Sequence, residues 1–142
     1  MHIMAQDVKV KIAGGGSTGT GALWTPIAVN CSGFDRAEVV VARGAQVGAT
    51  KGNVYASVYE SDATAGVYAK IAGSNGTAST AKSNMAILID VALDPTKPFL
   101  KVYGTSTTAS GGTSAIPVVA SVHMYRGSRS LPPTQDINAI LA

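Results

Sequence analysis

The stretch Val54–Ile71, VYASVYESDATAGVYAKI, contains the pattern that decides the fold. β-Branched and aromatic residues occupy both of its ends, whereas Glu60 to Gly66 between them is rich in polar and small residues. Apolar runs separated by turn-forming residues are typical of antiparallel strands joined by a short turn. The stretch therefore predicts a hairpin, with one strand over Val54–Glu60 and a second over Val67–Ile71.

The rest of the chain repeats this alternation of short apolar runs and Gly/Ser/Thr clusters, and helical periodicity is nearly absent. The predicted fold is all-β: a single-domain, jelly-roll-like antiparallel β-sandwich of about eight strands with extended N- and C-terminal arms. The other predicted strands are Val8–Ile12, Leu23–Val29, Ala37–Ala42, Met85–Leu93, Phe99–Tyr103 and Ile116–Tyr125. Met85–Leu93 is a long apolar run and is expected to be a central strand.

Three tracts rich in glycine, serine and threonine separate these runs and are predicted to be exposed loops at the ends of the sandwich. They are Gly14–Gly21, Gly73–Ser83 and Gly104–Ser114.

The length of 142 residues fits one domain. We expect the sandwich to span 1–130, with 1–7 as a flexible N-terminal segment, and 131–142 to form a C-terminal arm. Pro132 and Pro133 favour extended geometry at the start of that arm. Its tip carries Ile137, Ile140 and Leu141. The tip either docks on a neighbouring molecule or folds back on its own sandwich.

Charged residues make up only 13% of the chain, which is low for the surface of a free monomer. The composition therefore suggests that copies of the chain or a partner cover much of the surface. The basic residues behind the net charge of +3 are scattered, so no nucleic-acid stripe is expected. No apolar run approaches the roughly 20 residues that span a membrane, and the first residues are not expected to form a signal peptide. Cys31 is the only cysteine and is expected to be a small buried hydrophobe.

Several short motifs look chemical but lack the structural context that their chemistry needs. Gly14, Gly16 and Gly19 match G-x-G-x-x-G, yet β-forming residues and Pro26 follow instead of a helix that could hold a pyrophosphate. Ser79 to Lys82 matches S-x-x-K without the K-T-G strand of that enzyme class. No cluster shows metal-ligand spacing. The sequence thus predicts no catalytic residue, no cofactor and no metal.

Glu60 and Asp62 form the remaining candidate for chemistry. Residues two apart in a strand share a face, and a carboxylate pair is what glycoside hydrolysis requires. Ala63–Gly66 follows directly, however, and polar residues at the end of a strand are the ordinary result of turn chemistry. We therefore interpret the pair as the rim of a turn and expect a protein that is not an enzyme.

Parts of the sequence resemble a family of small capsid-associated proteins of tailed bacteriophages, over roughly Thr25 to Gln135. The resemblance rests on Val58–Asp62, on Pro98–Tyr103, and on Tyr125–Arg129 followed by Pro132–Gln135. It implies a head decoration, or cement, protein: a β-sandwich or jelly-roll module made in the bacterial cytoplasm. Such modules bind the major capsid protein on the outside of the virion as dimers or trimers, and the family has no catalytic residues to carry over.

The residues that we expect to contact the shell or another subunit are basic or acidic groups and the apolar tip of the arm. They are Lys9, Lys11, Glu60, Asp62, Arg126, Arg129, Leu131, Ile137, Ile140 and Leu141.

Two other functions stay open at this stage. The chain can be another phage virion component, in the tail or at the head–tail junction. It can also be a carbohydrate-binding β-module, in which Trp24, Tyr55, Tyr59 and Tyr68 would form a sugar-stacking face.

Overall fold

The computed structural model describes residues 8–18, 24–45, 52–78, 85–108 and 116–126. These ranges contain nine strands and no helix, and therefore no helix that could cross a membrane. The strands are β1 Val8–Thr18, β2 Thr25–Pro26, β3 Val29–Asn30, β4 Arg36–Arg43, β5 Gly52–Ser61, β6 Ala69–Ala78, β7 Met85–Ala92, β8 Phe99–Thr108 and β9 Ile116–Tyr125.

All strand pairs are antiparallel and form two sheets. The five-stranded sheet has the order β2-β1-β9-β4-β7 and the four-stranded sheet the order β3-β8-β5-β6. Apart from the two-residue β2, eight strands divide equally between the sheets, and strands distant in sequence lie side by side, as in a jelly roll. The predicted antiparallel β-sandwich is confirmed.

The core lies between the sheets and follows from the alternation along each strand. In β4 and β9 every second residue is buried, and those residues point towards β5 and β8 of the other sheet. Burying one such aliphatic side chain stabilises the fold by about 1.5–3 kcal/mol. The largest fully buried side chains are Ile87, Leu100, Ile116, Met124, Val39, Val41, Val54, Val58, Val102 and Val122.

Two glycines of the four-stranded sheet make room for large side chains in this core. A Cβ on Gly104 would lie 1.6 Å from Cη2 of Trp24, and one on Gly76 would lie 2.0 Å from Cγ2 of Ile87. The Trp24 indole is fixed there because its Nε1 donates a hydrogen bond of 2.9 Å to the Val102 carbonyl. Glycine is therefore needed in these strands for space.

Part of the loop prediction was wrong, because glycines that are typical of loops lie here within strands. β6 continues to Ala78 and β8 to Thr108, through the first residues of the tracts Gly73–Ser83 and Gly104–Ser114. Likewise β1 continues to Thr18, since it pairs with β9 on both sides of an irregularity between Ile12 and Gly14.

Three strand predictions were also wrong in detail. The predicted strand Leu23–Val29 is two short strands in different sheets, because the chain crosses from one sheet to the other around Pro26. Met85–Leu93 forms an edge strand, since β9 and β4 occupy the sheet centre. Its apolar pattern is continuous because small Ala86 and half-buried Leu88 face outward. The second hairpin strand begins only at Ala69.

The two ends of the sandwich differ in what they carry. At one end, which we call the terminal end, Val8 pairs with Tyr125, so the first and last strands meet there. The turns 31–35, 62–68 and 93–98 lie at the same end. The opposite end holds the strand termini that flank 19–23, 46–51, 79–84 and 109–115. The predicted arms, 1–7 and 131–142, fall outside the described residues.

Candidate functional site

The turn after β5 holds the two carboxylates that the sequence singled out. β5 ends at Ser61, so Asp62 belongs to the turn and does not share a strand face with Glu60. The buried Ser61 hydroxyl accepts a hydrogen bond of 3.3 Å from the backbone nitrogen of Ala63. The Gly66 nitrogen donates to the Ala63 carbonyl at 3.0 Å. These bonds are those of an ordinary polar turn.

Glu60 already has a basic partner within its own chain. Lys97, in the turn between β7 and β8, donates from Nζ to Oε1 of Glu60 at 2.8 Å, and the two side chains are 42% and 16% exposed. The hydrogen bond to Glu60, and then the charge of that carboxylate, raise the pKa of Lys97. Asp62 is exposed and adds a weaker attraction. The ion pair therefore ties two turns of the terminal end together, and whether either carboxylate also contacts a neighbour stays a prediction.

The first half of β1 is an open edge. β9 pairs with one side of β1, whereas on the other side β2 lies opposite only Gly14 and Gly15. Within the described ranges, no strand pairs with the outer edge of Val8–Ile12. Unpaired strand edges are templates for the addition of another strand.

Both faces of this half-strand are also exposed. Lys9 and Lys11 lie on one face, while Val10 and Ile12 lie on the other and are 52% and 57% exposed. Val119 of the neighbouring β9 is exposed on the same outer face as Val10 and Ile12. We call the open edge of Val8–Ile12, together with Val10, Ile12 and Val119, the β1 surface.

Arg126 lies at the terminal end directly after β9. It is exposed, and its guanidinium carbon lies 5.0 Å from the centre of the Phe34 ring. The stacked ring orients the charge without neutralising it. The other predicted contact residues of the C-terminal segment, Arg129, Leu131, Ile137, Ile140 and Leu141, lie outside the described residues.

The outer face of the four-stranded sheet carries a cluster of tyrosines around a lysine. The rings of Tyr59 and Tyr103 meet edge to face, with centroids 4.7 Å apart. Nζ of Lys101 lies 4.3 Å from the centre of the Tyr68 ring. With Tyr55 they line a depression of about 460 Å³, which we call the tyrosine cleft.

The cleft corrects one sequence prediction and adds to it. Trp24 is not part of an exposed aromatic face, because it is only 3% exposed and its indole fills the core. Tyr103 and Lys101 were missed. These two residues join the cleft through the register of β5 and β8, in which Ser57 lies opposite Tyr103 and Tyr59 lies opposite Lys101. Sequence alternation predicts which residues share a face but not this pairing.

In the part of the chain that the structure describes, no group of three or more His, Cys, Asp and Glu side chains is placed to hold a metal ion. The cysteine Cys31 is buried, and burial raises its pKa to about 12.

Comparison with known proteins gives a shared fold. No known family and no curated protein matches the sequence. A chain in the structure of the infectious bursal disease virus Gx strain superposes with a TM-score of 0.56 at 12% identity, over 88% of this chain and 34% of that one. The Gt strain of the same virus gives a TM-score of 0.52 at 12% identity, over 88% and 33%. This chain thus spans about a third of the length of those viral chains.

Proposed function

We propose that this chain is a structural virion protein that binds the outside of a bacteriophage capsid as a homo-oligomer and stabilises the shell. In this role it is made in the bacterial cytoplasm, binds the major capsid protein and carries out no catalysis. The jelly-roll fold that it shares with chains of a virus supports the general class. The sequence resemblance to phage capsid-associated proteins supports the finer assignment.

The observation that carries the proposal is the β1 surface. An added strand on the open edge of Val8–Ile12 would satisfy its backbone groups, and Val10, Ile12 and Val119 would be covered by the added molecule. A second copy or a shell subunit can supply that strand. Exposed aliphatic groups beside an unpaired edge are typical of such contacts.

Charge at the terminal end fits the same role. Lys9, Lys11 and Arg126 are all exposed near the paired ends of β1 and β9. They can bind carboxylates of a shell subunit, and such contacts weaken as salt screens them. The described residues next to the segments 1–7 and 127–142, which are Val8 and Arg126, both lie at this end of the sandwich. Contacts to the shell are therefore expected here rather than at the opposite end.

The energetic basis of the proposed role is multivalency. Closed symmetry repeats one contact in every copy, so an oligomer engages several shell subunits at once. Each contact can be weak, because the linked copies raise one another's effective concentration at the shell. Binding to the assembled shell and not to separated subunits stabilises the assembled state by mass action.

The test combines sedimentation of the purified protein with binding to heads that lack it. The double variant Val10→Lys/Ile12→Lys places charges on the β1 surface, which blocks strand addition at an edge. Thr77→Lys is the control, because Thr77 is exposed on β6 of the four-stranded sheet, towards the end of the sandwich opposite the terminal end. We expect the double variant to lose oligomerisation and head binding by at least about tenfold, with an unchanged circular dichroism spectrum that shows an intact sandwich.

The outcomes separate two claims. If the wild-type protein does not co-sediment with heads, the capsid function is wrong. If it does and the double variant binds as well as Thr77→Lys, the β1 surface is not the contact.

A further inference from the structure

The tyrosine cleft is built differently from the β1 surface. Its walls come from β5 and β8, with Gly66 and Tyr68 of the turn between β5 and β6 closing one side. Its volume of about 460 Å³ falls within the range of small-molecule sites and is large enough for one or two sugar rings. Tyr55 is 38% exposed and the other rings are half-buried, so aromatic faces are held by packing and still meet solvent.

The rings present both stacking surface and hydroxyl groups. Tyrosine combines an apolar face with a hydroxyl tip, so it suits a ligand with apolar C–H faces and polar edges, such as a sugar ring. The edge-to-face pair of Tyr59 and Tyr103 fixes the orientation of both rings. The Tyr68 hydroxyl donates to the Thr64 carbonyl at 3.0 Å, which fixes the third ring. Burial, and secondarily the nearby Tyr103, raise the pKa of Tyr68 above its ordinary value.

Charge decides which kind of sugar fits. Lys101 is the only charged residue among those that line the cleft. Within the described residues no carboxylate pairs with it, since the two ion pairs there are Arg36–Asp90 and Lys97–Glu60. Its position over the Tyr68 ring holds the ammonium group in place. The cleft therefore offers a positioned cation and lacks the carboxylate that would be a strong acceptor for the hydroxyls of a neutral sugar.

We propose that the tyrosine cleft binds a sugar that carries a carboxylate, with the ring against Tyr59 and Tyr103 and the carboxylate on Lys101. This site is separate from the β1 surface and does not depend on the capsid role. On a virion component, such a site would attach the particle to surfaces that display acidic saccharides.

Amide-detected NMR titration of the 142-residue chain tests the proposal with three acid sugars: methyl glucuronide, methyl galacturonide and N-acetylneuraminate. Methyl glucoside and methyl galactoside are the neutral counterparts of the first two, and acetate tests the anion alone. At least one acid sugar should shift the amides of Tyr59, Lys101 and Tyr103, with a Kd in roughly the millimolar range. A neutral sugar or acetate should bind at least about tenfold more weakly, since either lacks half of the contacts.

Two variants locate the site. Lys101→Met should reduce binding of the acid sugar at least about tenfold. Lys70→Met is the matched control, because Lys70 faces the same side of the sheet opposite Tyr59 but does not line the cleft. It should change binding less than about threefold. Tyr103→Leu should remove stacking at an unchanged oligomeric state, which also separates this proposal from the β1 surface.

The proposal is overturned if none of the acid sugars binds, or if neutral sugars or acetate bind equally well. It is also overturned if Lys101→Met behaves like Lys70→Met. Sedimentation of all variants as the wild type excludes a loss of fold or of assembly as the cause.

Discussion

The two sheets differ in what they add to the core and to the surface. Inside, both supply large side chains, such as Ile87 and Met124 on the five-stranded sheet and Leu100 on the four-stranded sheet, but only the latter also leaves room at Gly76 and Gly104. Outside, the five-stranded sheet is aliphatic along β1, and the four-stranded sheet carries the tyrosine cleft. The outer faces of the two sheets therefore suit different contacts. The aliphatic face along β1 suits another protein, and the tyrosine cleft suits a small polar ligand.

The role of a glycine in a strand therefore depends on the side chain that faces it from the other sheet. Gly104 would be a weak point in an isolated strand, because glycine lowers strand stability and packs no side chain. Here its missing side chain leaves the space in which Trp24 lies. An added methyl group at Gly104 would consequently collide with the Trp24 indole.

The largest expected effect breaks this fit. Gly104→Ala places a methyl group into the Trp24 indole, so we expect a loss of about 3 kcal/mol or more in the free energy of unfolding, measured in urea. Trp24→Phe removes the atoms nearest to Gly104. In a double-mutant cycle the second change should recover part of the loss caused by the first. Additive losses would show that Gly104 and Trp24 do not compete for space.

A smaller effect separates the inner from the outer side of the five-stranded sheet. Ile87→Val deletes one buried methyl group and should cost about 0.5–1.5 kcal/mol of the free energy of unfolding. Ile12→Val makes the same chemical change on the outer face, where the side chain is 57% exposed in the single chain, and should stay within about 0.5 kcal/mol at protein concentrations that keep the chain monomeric. Equal losses would mean that Ile12 is buried in solution by another molecule, which sedimentation of both variants would reveal.

The next effect concerns alkaline pH at Cys31, which precedes β4 beside the four-stranded sheet. Burial raises the pKa of this thiol from 9.0 to about 12, so the folded protein keeps a proton that the unfolded chain loses. Stability should therefore decrease as the pH rises from 9 towards 12. Cys31→Ala should flatten that part of the profile in urea titrations at several pH values. A profile identical to that of the wild type would show that other groups cause the loss.

The smallest effect tests the ion pair at the terminal end. Glu60 raises the pKa of Lys97, so the pair stabilises the fold below the ordinary pKa of lysine and stops doing so as the pH rises through the raised value. Glu60→Gln should lower the melting temperature slightly at neutral pH and low salt. The difference from the wild type should vanish at high salt, because exposed charges are screened. Asp62→Asn is the control and should have less effect, since Asp62 acts only weakly on Lys97.

Most of the fold could be predicted from local pattern, but little of the site could. Alternation places Ala37–Ala42 and Ile116–Tyr125 within strands β4 and β9 because each strand's own sequence encodes which face is buried. β8 continues through Gly104 by pairing with β5, and the missing side chain of Gly104 leaves room for Trp24, which lies far away in sequence. A single sequence offers no sign of such a contact.

The same reason limits prediction of the surfaces. In the sequence Glu60 stands out because Asp62 lies nearby, yet its ion-pair partner is Lys97, 37 positions along the chain. The exposure of Val10 and Ile12 follows from sheet order, since a strand with the same alternation could equally lie between two others. The tyrosines were recognisable as candidates, but their assembly around Lys101 needs the register of β5 and β8.

The pairing of Val8 with Tyr125 has a mechanical consequence. β1 and β9 are antiparallel neighbours whose outer ends meet, so a force that pulls residues 8 and 126 apart loads their hydrogen bonds one after another, as a zipper opens. A force along the strands would instead load many bonds together. Tension applied at these two neighbouring strand ends would peel the first strand from the sandwich at low force, whereas tension passed through contacts between whole sandwiches would not open this pair of strands from one end.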